Sequence, residues 1–94
     1  MRYLVIGLLF LAQLSQAQKT DQAYLLDYKS AVQSYASGNH QACIDKLTPL
    51  TAGVYNNPVV PYALYYFSLA SMEVNKAYQS RETLRRLIQK FPDW

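Results

Sequence analysis

The sequence predicts an all-α fold, two antiparallel helix hairpins stacked as a short solenoid behind an N-terminal signal peptide. Three observations predict it. Apolar residues recur at helical spacing through four stretches, and no stretch alternates with the period of a strand. Three glycines and four prolines in 94 residues are too few for a loop-rich or all-β chain. The segment SYASGNHQACIDKL at 34–47 parallels SMEVNKAYQSRETL at 71–84, so that Gly38 and Asn75 hold equivalent turns 37 residues apart.

Length allows one small domain. About half the residues are hydrophobic and nine are tyrosine, enough apolar surface for a helical core. A net charge of +3 is too small and too dispersed to propose nucleic-acid binding. Cys43 is the single cysteine, so neither an intramolecular disulfide nor a thiol-rich metal site is expected. No cofactor is expected either.

Residues 1–17 have the three-part plan of a signal peptide: Arg2 as a positive start, an apolar core at 3–14, then Ser15 and Ala17 as small residues one position apart. Cleavage is expected after Ala17, because the peptidase holds those two side chains in shallow pockets. The apolar run is well short of the ~20 residues a bilayer-spanning helix needs. No stable membrane span is therefore expected after cleavage. The destination is outside the cytoplasm, which in a Gram-negative bacterium is the periplasm or cell envelope.

Residues 18–22 read as a polar, flexible start, and Asp21 can cap the first helix. The first hairpin is expected over 23–52. Tyr24, Leu25, Tyr28, Ala31, Val32 and Tyr35 recur at helical spacing, with Asp27, Ser30 and Ser34 on the opposite face. Ser37-Gly38-Asn39 ends this helix, glycine supplying the left-handed conformation beyond the last turn. Asn39 opens the second helix, whose apolar stripe is His40, Cys43, Ile44, Leu47 and Leu50. Pro49, on its other face, should kink or end it. A connector follows at 53–60, and Asn57-Pro58 offers a helix entry with proline in the first turn.

The second hairpin is expected over 61–94. Leu64, Phe67, Ser68 and Ser71 form one stripe. Ala77, Ser80, Leu84, Leu87, Ile88 and Phe91 form another, broken from the first at Asn75-Lys76 and stopped by Pro92. The run Leu64, Phe67-Ser68, Asn75, Ser80, Leu84, Leu87 and Pro92 resembles the tetratricopeptide helix–turn–helix repeat. Ser68 and Ser80 stand where that family places small residues so that its two helices can approach. The first hairpin matches through Ala31, Gly38, Cys43, Ile44 and Leu47. At Asp27, Ser30 and Ser34 the family usually has large apolar residues. Either the helix is rotated to bury Tyr28 and Tyr35, or its outer face is polar, as a terminal repeat requires. The family's period is about 34, and the roughly three extra residues fit in the connector. With the leader, the chain is similar to tetratricopeptide proteins of the bacterial cell envelope. Their lipidated assembly members carry a cysteine at the new terminus, and this chain has none there.

The resemblance implies a protein or peptide partner held in a groove lined by the first helix of each hairpin. Tyr62, Tyr65, Leu69 and Met72 form a stripe beside the packed face of the third helix. Tyrosine suits recognition there, with a large area, few rotatable bonds and a polar tip. The competing reading packs these tyrosines against the first hairpin. Arg81, Arg85, Arg86 and Lys90 make the last helix basic, either as a docking surface for an acidic partner or anionic membrane, or as a solvated face favoured by the helix dipole. Glu82 is spaced to pair with Arg85 and Arg86.

Catalysis is not expected. His40 lies one turn before Cys43, but a Cys–His hydrolase also needs an orienting group and an oxyanion site, and neither is suggested. Cys43 reads as a small hydrophobe. The acidic residues are scattered, and no phosphate-binding glycine loop is present. The expected function is an exported protein–protein interaction module for envelope assembly or scaffolding. The alternative is a structural N-terminal segment of a longer envelope solenoid. Such repeats usually need about three copies to bury a continuous core, so self-association through the C-terminal hairpin is also expected.

Overall fold

A computed structural model of the chain describes residues 21–52 and 57–94. The signal peptide with its cleavage after Ala17, residues 18–20, and 53–56 of the connector lie outside the described residues. Those described form four helices: α1 (Asp21–Ala36), α2 (His40–Thr51), α3 (Val60–Glu73) and α4 (Ala77–Lys90). They contain no strand. Each helix packs on the next in chain order, and α1 also touches α3. The fold is all-α, two hairpins stacked side by side. Helix α1 already includes Asp21 and Gln22, within the stretch read as a flexible start.

The two tight turns are built alike. Gly38 is left-handed at φ 87°, and its N–H donates to the Tyr35 carbonyl while the Asn39 N–H donates to that of Ser34. Asn75 is left-handed at φ 62°; its N–H donates to Met72 and the Lys76 N–H to Ser71. Both are the two-bond helix terminus that satisfies otherwise orphaned carbonyls. The helices that follow differ at their starts. Asn39 caps α2 by accepting from the Ala42 N–H at 3.3 Å, whereas Lys76 gives α4 no side-chain cap. A cap of this kind is worth about 1 kcal/mol.

The entry to α3 differs from the Asn57-Pro58 expectation. The helix begins at Val60, and the proline in its first turn is Pro61. Asn57 instead folds the chain ahead of the helix. Its Oδ1 accepts from the Val59 N–H at 2.9 Å, and its carbonyl accepts from the Val60 N–H. Its Nδ2 donates to Asp21 at 3.2 Å, tying the connector to the start of α1. Pro49 lies inside α2, which continues two residues past it to Thr51. It is exposed, and its missing N–H removes one backbone donor from the last turn.

The main core lies between the first hairpin and α3. It contains Tyr24, Ala31, Cys43, Ile44, Leu47, Leu50, Ala63 and Ala70, edged by Tyr28, Tyr35, Tyr66 and Phe67. Helix α1 is thus rotated so that Tyr28 and Tyr35 are partly buried. Leu25, expected on the buried stripe, is exposed. Ser34, expected on the opposite face, is buried. Its hydroxyl donates back to the Ser30 carbonyl and accepts from Lys46 Nζ at 2.8 Å. Ser71, its counterpart 37 residues on, does the same: it donates to Phe67 and accepts from Gln79. A hydroxyl satisfied within its own helix can be buried at little cost, so small polar residues serve where helices approach closely.

The second hairpin is drier in carbon and richer in hydroxyls. Val60, Leu64 and Leu87, with Phe91 beside them, form its small apolar cluster. Ser68, Ser71, Ser80 and Thr83 are buried beside it. Helix α4 therefore buries Ser80, Thr83 and Leu87. Ala77, Leu84 and Ile88, expected on its packed stripe, are exposed, Ile88 at 69%. Packing on α3 turns α4 so that these side chains lie outside its buried face.

Candidate functional site

The tyrosines of α1 and α3 meet in an unbroken run of ring contacts. His40 packs on Tyr35 at 4.9 Å between centroids, and Tyr35 on Tyr66 at 5.6 Å. Tyr66 also meets Tyr28 and Tyr65, and Tyr28 meets Tyr62 at 6.3 Å. Trp94 closes the run, at 5.3 Å from Tyr62 and 5.8 Å from Tyr65. Most pairs are edge-to-face, the arrangement in which a positive ring edge meets a negative ring face, and each is worth roughly 0.5–1.5 kcal/mol beyond its area. Tyr28 and Tyr65 are 37 residues apart, so the repeat itself places one ring of this band on each hairpin.

The band is buried at one edge and open at the other. Tyr62, Tyr65, Met72 and Trp94 are exposed, while Leu69 is half-buried. Of the stripe singled out in the sequence, Tyr62, Tyr65 and Met72 thus present side chains outward, and Leu69 lies at its margin. Tyr62 and Tyr65 also contact other rings, so packing and presentation are combined in the same side chains. Trp94 was missed by sequence reasoning. It lies beyond the last helix, outside any periodic pattern. The signal for it is local: Pro92 stops α4, and the Trp94 N–H donates to the Phe91 carbonyl in a tight turn that folds the indole back onto α3.

Burial pushes the phenol of Tyr28 up, with Tyr66 and Tyr62 adding to it. Burial does the same at Tyr35, with Glu73 next. Both phenols are neutral donors at physiological pH.

The basic residues of α4 divide. Arg86 is half-buried, and its guanidinium donates to the Thr51 carbonyl at the end of α2. It clamps the two hairpins together and is not part of an open basic surface. Arg85 pairs with Glu82 at 3.0 Å on the exposed face. Arg81 and Lys90 are exposed. Arg81, Leu84, Arg85, Ile88 and Gln89 line a shallow groove of about 550 Å³.

Cys43 is fully buried, and burial raises its thiol above the ordinary range, only partly offset by Lys46. A thiol in that setting is a poor nucleophile. His40 packs on Tyr35, and its Nδ1 is buried without a hydrogen-bond partner among the described residues. The described residues hold no cluster of three or more metal-ligating side chains, and none of their helices is long and apolar enough to cross a membrane.

Compared with the models of known protein families, with curated proteins and with solved structures, the chain matches none.

Proposed function

We propose that this chain is an exported helical-repeat interaction module of the tetratricopeptide kind, without catalytic activity, that binds a protein or peptide segment on the tyrosine face of α1 and α3. The observation that carries the reading is the aromatic band, continuous across both hairpins, with Tyr62, Tyr65 and Trp94 exposed at its open edge. Large, stiff, amphipathic rings give contact area at low entropic cost, and such residues dominate binding energy when a partner desolvates them. The two equivalent helix termini and the shared 37-residue offset support the repeat reading. Export rests on the leader, and the mature protein is expected to begin at Gln18.

Trp94 is the only tryptophan and lies within the proposed site, so its emission reports occupancy directly. Capture from envelope extract should return a partner that Tyr62→Ser/Tyr65→Ser loses. Because these rings also pack on Tyr28, Tyr66 and Trp94, the variant should melt lower, and capture is compared at a temperature where circular dichroism shows both proteins folded. A peptide from that partner should then shift the Trp94 emission saturably. Capture unaffected by the double substitution would refute the tyrosine face as the site.

A further inference from the structure

The second candidate surface is the outward side of α4, and the internal repeat says what it corresponds to. Shifting by 37 residues places Ile44, Leu47, Leu50 and Thr51 of α2 on Arg81, Leu84, Leu87 and Ile88 of α4. The α2 residues are buried where α3 stacks on α2. Of these four α4 counterparts only Leu87 is buried. Leu84 is 38% and Ile88 69% exposed, side by side in the groove with Arg81, Arg85 and Gln89. The position at which α2 receives a helix is therefore open on α4, and it has gained two cations, Arg81 for Ile44 and Arg85 for Thr48.

Charge selects the occupant. A second copy docking α4 against α4 would bring Arg81 and Arg85 against their own counterparts. A second copy stacking through α1 would offer the face equivalent to Ala63, Tyr66, Phe67 and Ala70 of α3 and to Val59 just before it. On α1 that face is Gln22, Leu26, Lys29, Ser30 and Gln33, which carries one apolar side chain and a further cation. Neither complements a groove whose lining charges are both cations, Arg81 and the Arg85 that pairs with Glu82.

We infer that the α4 groove docks an amphipathic helix of another protein, with apolar side chains at i, i+4 and i+7 seated on Leu84 and Ile88 and with Asp or Glu flanking that stripe to meet Arg81 and Arg85. The apolar stripe supplies affinity and the opposed charges set register and partner choice. This surface is separate from the tyrosine band, so either can fail without the other.

The test uses the purified protein and three labelled probe peptides of equal length, read by fluorescence anisotropy. One is a helical peptide with an Ile/Leu stripe and Glu flanks. The second has the same stripe with Lys flanks, and the third is the first with its stripe scrambled. The Glu-flanked helix should bind saturably and weaken as salt rises. Ile88→Gln should weaken it by about tenfold, the effect of withholding one buried aliphatic side chain. Arg81→Glu/Arg85→Glu should reverse the preference toward the Lys-flanked peptide. Both substitutions are at exposed sites, and unchanged melting curves exclude misfolding. Equal binding of the scrambled peptide, or no binding of the Glu-flanked one, would overturn the inference. So would a concentration-dependent mass abolished by Ile88→Gln, which would make the occupant a second copy. Adsorption to phosphatidylglycerol vesicles, lost in the same variants while no peptide binds, would overturn it in favour of a membrane surface.

Discussion

Gly38 offers the cleanest energetic test of the repeat. Its φ of 87° lies in the left-handed region, and a Cβ built there meets nothing within 4 Å. Gly38→Ala therefore introduces no clash, and its whole folded-state cost is the left-handed backbone of an L-residue, about 1–2 kcal/mol. Against this, alanine restricts the unfolded chain and returns roughly 0.4–1 kcal/mol. The net expectation is a loss of about 1 kcal/mol, or roughly 4–8 °C in melting temperature for a domain of this size. Asn75 makes the same turn at φ 62° with a residue that tolerates it better. Gly38→Asn should thus cost about half as much as Gly38→Ala, and Asn75→Gly should lie within about 0.5 kcal/mol of wild type. Urea melts followed by circular dichroism at 222 nm measure all three. A silent Gly38→Ala would mean the turn is not left-handed. A loss above roughly 3 kcal/mol would exceed any backbone cost and would mean the position is crowded.

Other perturbations separate structural from surface roles. Ser80→Leu should destabilise by about 1–3 kcal/mol in a denaturant melt through overpacking, because Ser80 is 3% exposed on the packed side of α4; Gln89→Lys on the exposed side should be nearly silent. Arg86→Ala should lose about 1.5–3 kcal/mol with the charged hydrogen bond to Thr51, whereas Arg85→Ala, which breaks only an exposed pair, should lose no more than about 0.5 kcal/mol. Cys43 should resist alkylation in the folded protein and react on unfolding, as mass spectrometry would show. The folded thiol is held above its unfolded value, so between the two the native state binds the extra proton. Stability should be fully present at neutral pH and fall as pH rises past the ordinary thiol range, with Tyr28 and Tyr35 adding to the fall at higher pH. Melts showing stability rising with pH over that range would contradict the burial.

Periodicity made four helices and their turns legible, because Gly38, Asn39 and Asn75 act through local backbone preferences that travel with the residue. It could not say which of two adjacent stripes a neighbouring helix covers. On α4 the apolar residues Leu84, Leu87 and Ile88 span a wider arc than one partner helix buries. Packing on α3 took Leu87 with Ser80 and Thr83, and left the other two outside. Ser34 was misplaced for a related reason. A serine reads as polar, but a hydroxyl that bonds back to Ser30 and receives Lys46 from the facing helix is at home in an interior. The Asn57-Pro58 expectation placed the α3 entry early, because Asn57 instead accepts from the Val59 and Val60 N–H groups in a turn ahead of the helix. Its bond to Asp21 is to a long-range partner that no local pattern contains. The tyrosine stripe was visible as spacing. Its completion by Trp94 depended on a turn after the last helix.

The contacts from Asn57 to Asp21 and from Arg86 to Thr51 have a kinetic consequence. They span 36 and 35 residues, about one repeat each, while the bonds that make each hairpin are local. Short-range contacts form early because little loop entropy is lost in closing them. Each hairpin can therefore collapse by itself; the Arg86–Thr51 stitch can close only once both have formed, and the Asn57–Asp21 stitch only once the connector has returned to the start of α1. They are expected to contribute little in the folding transition state and to act mainly on the unfolding rate. In a linear array, where each unit leans only on its neighbour, such late stitches set how often one hairpin opens while the other stays folded. Amide exchange in α4 should then quicken on Arg86→Ala while that in α1 barely changes.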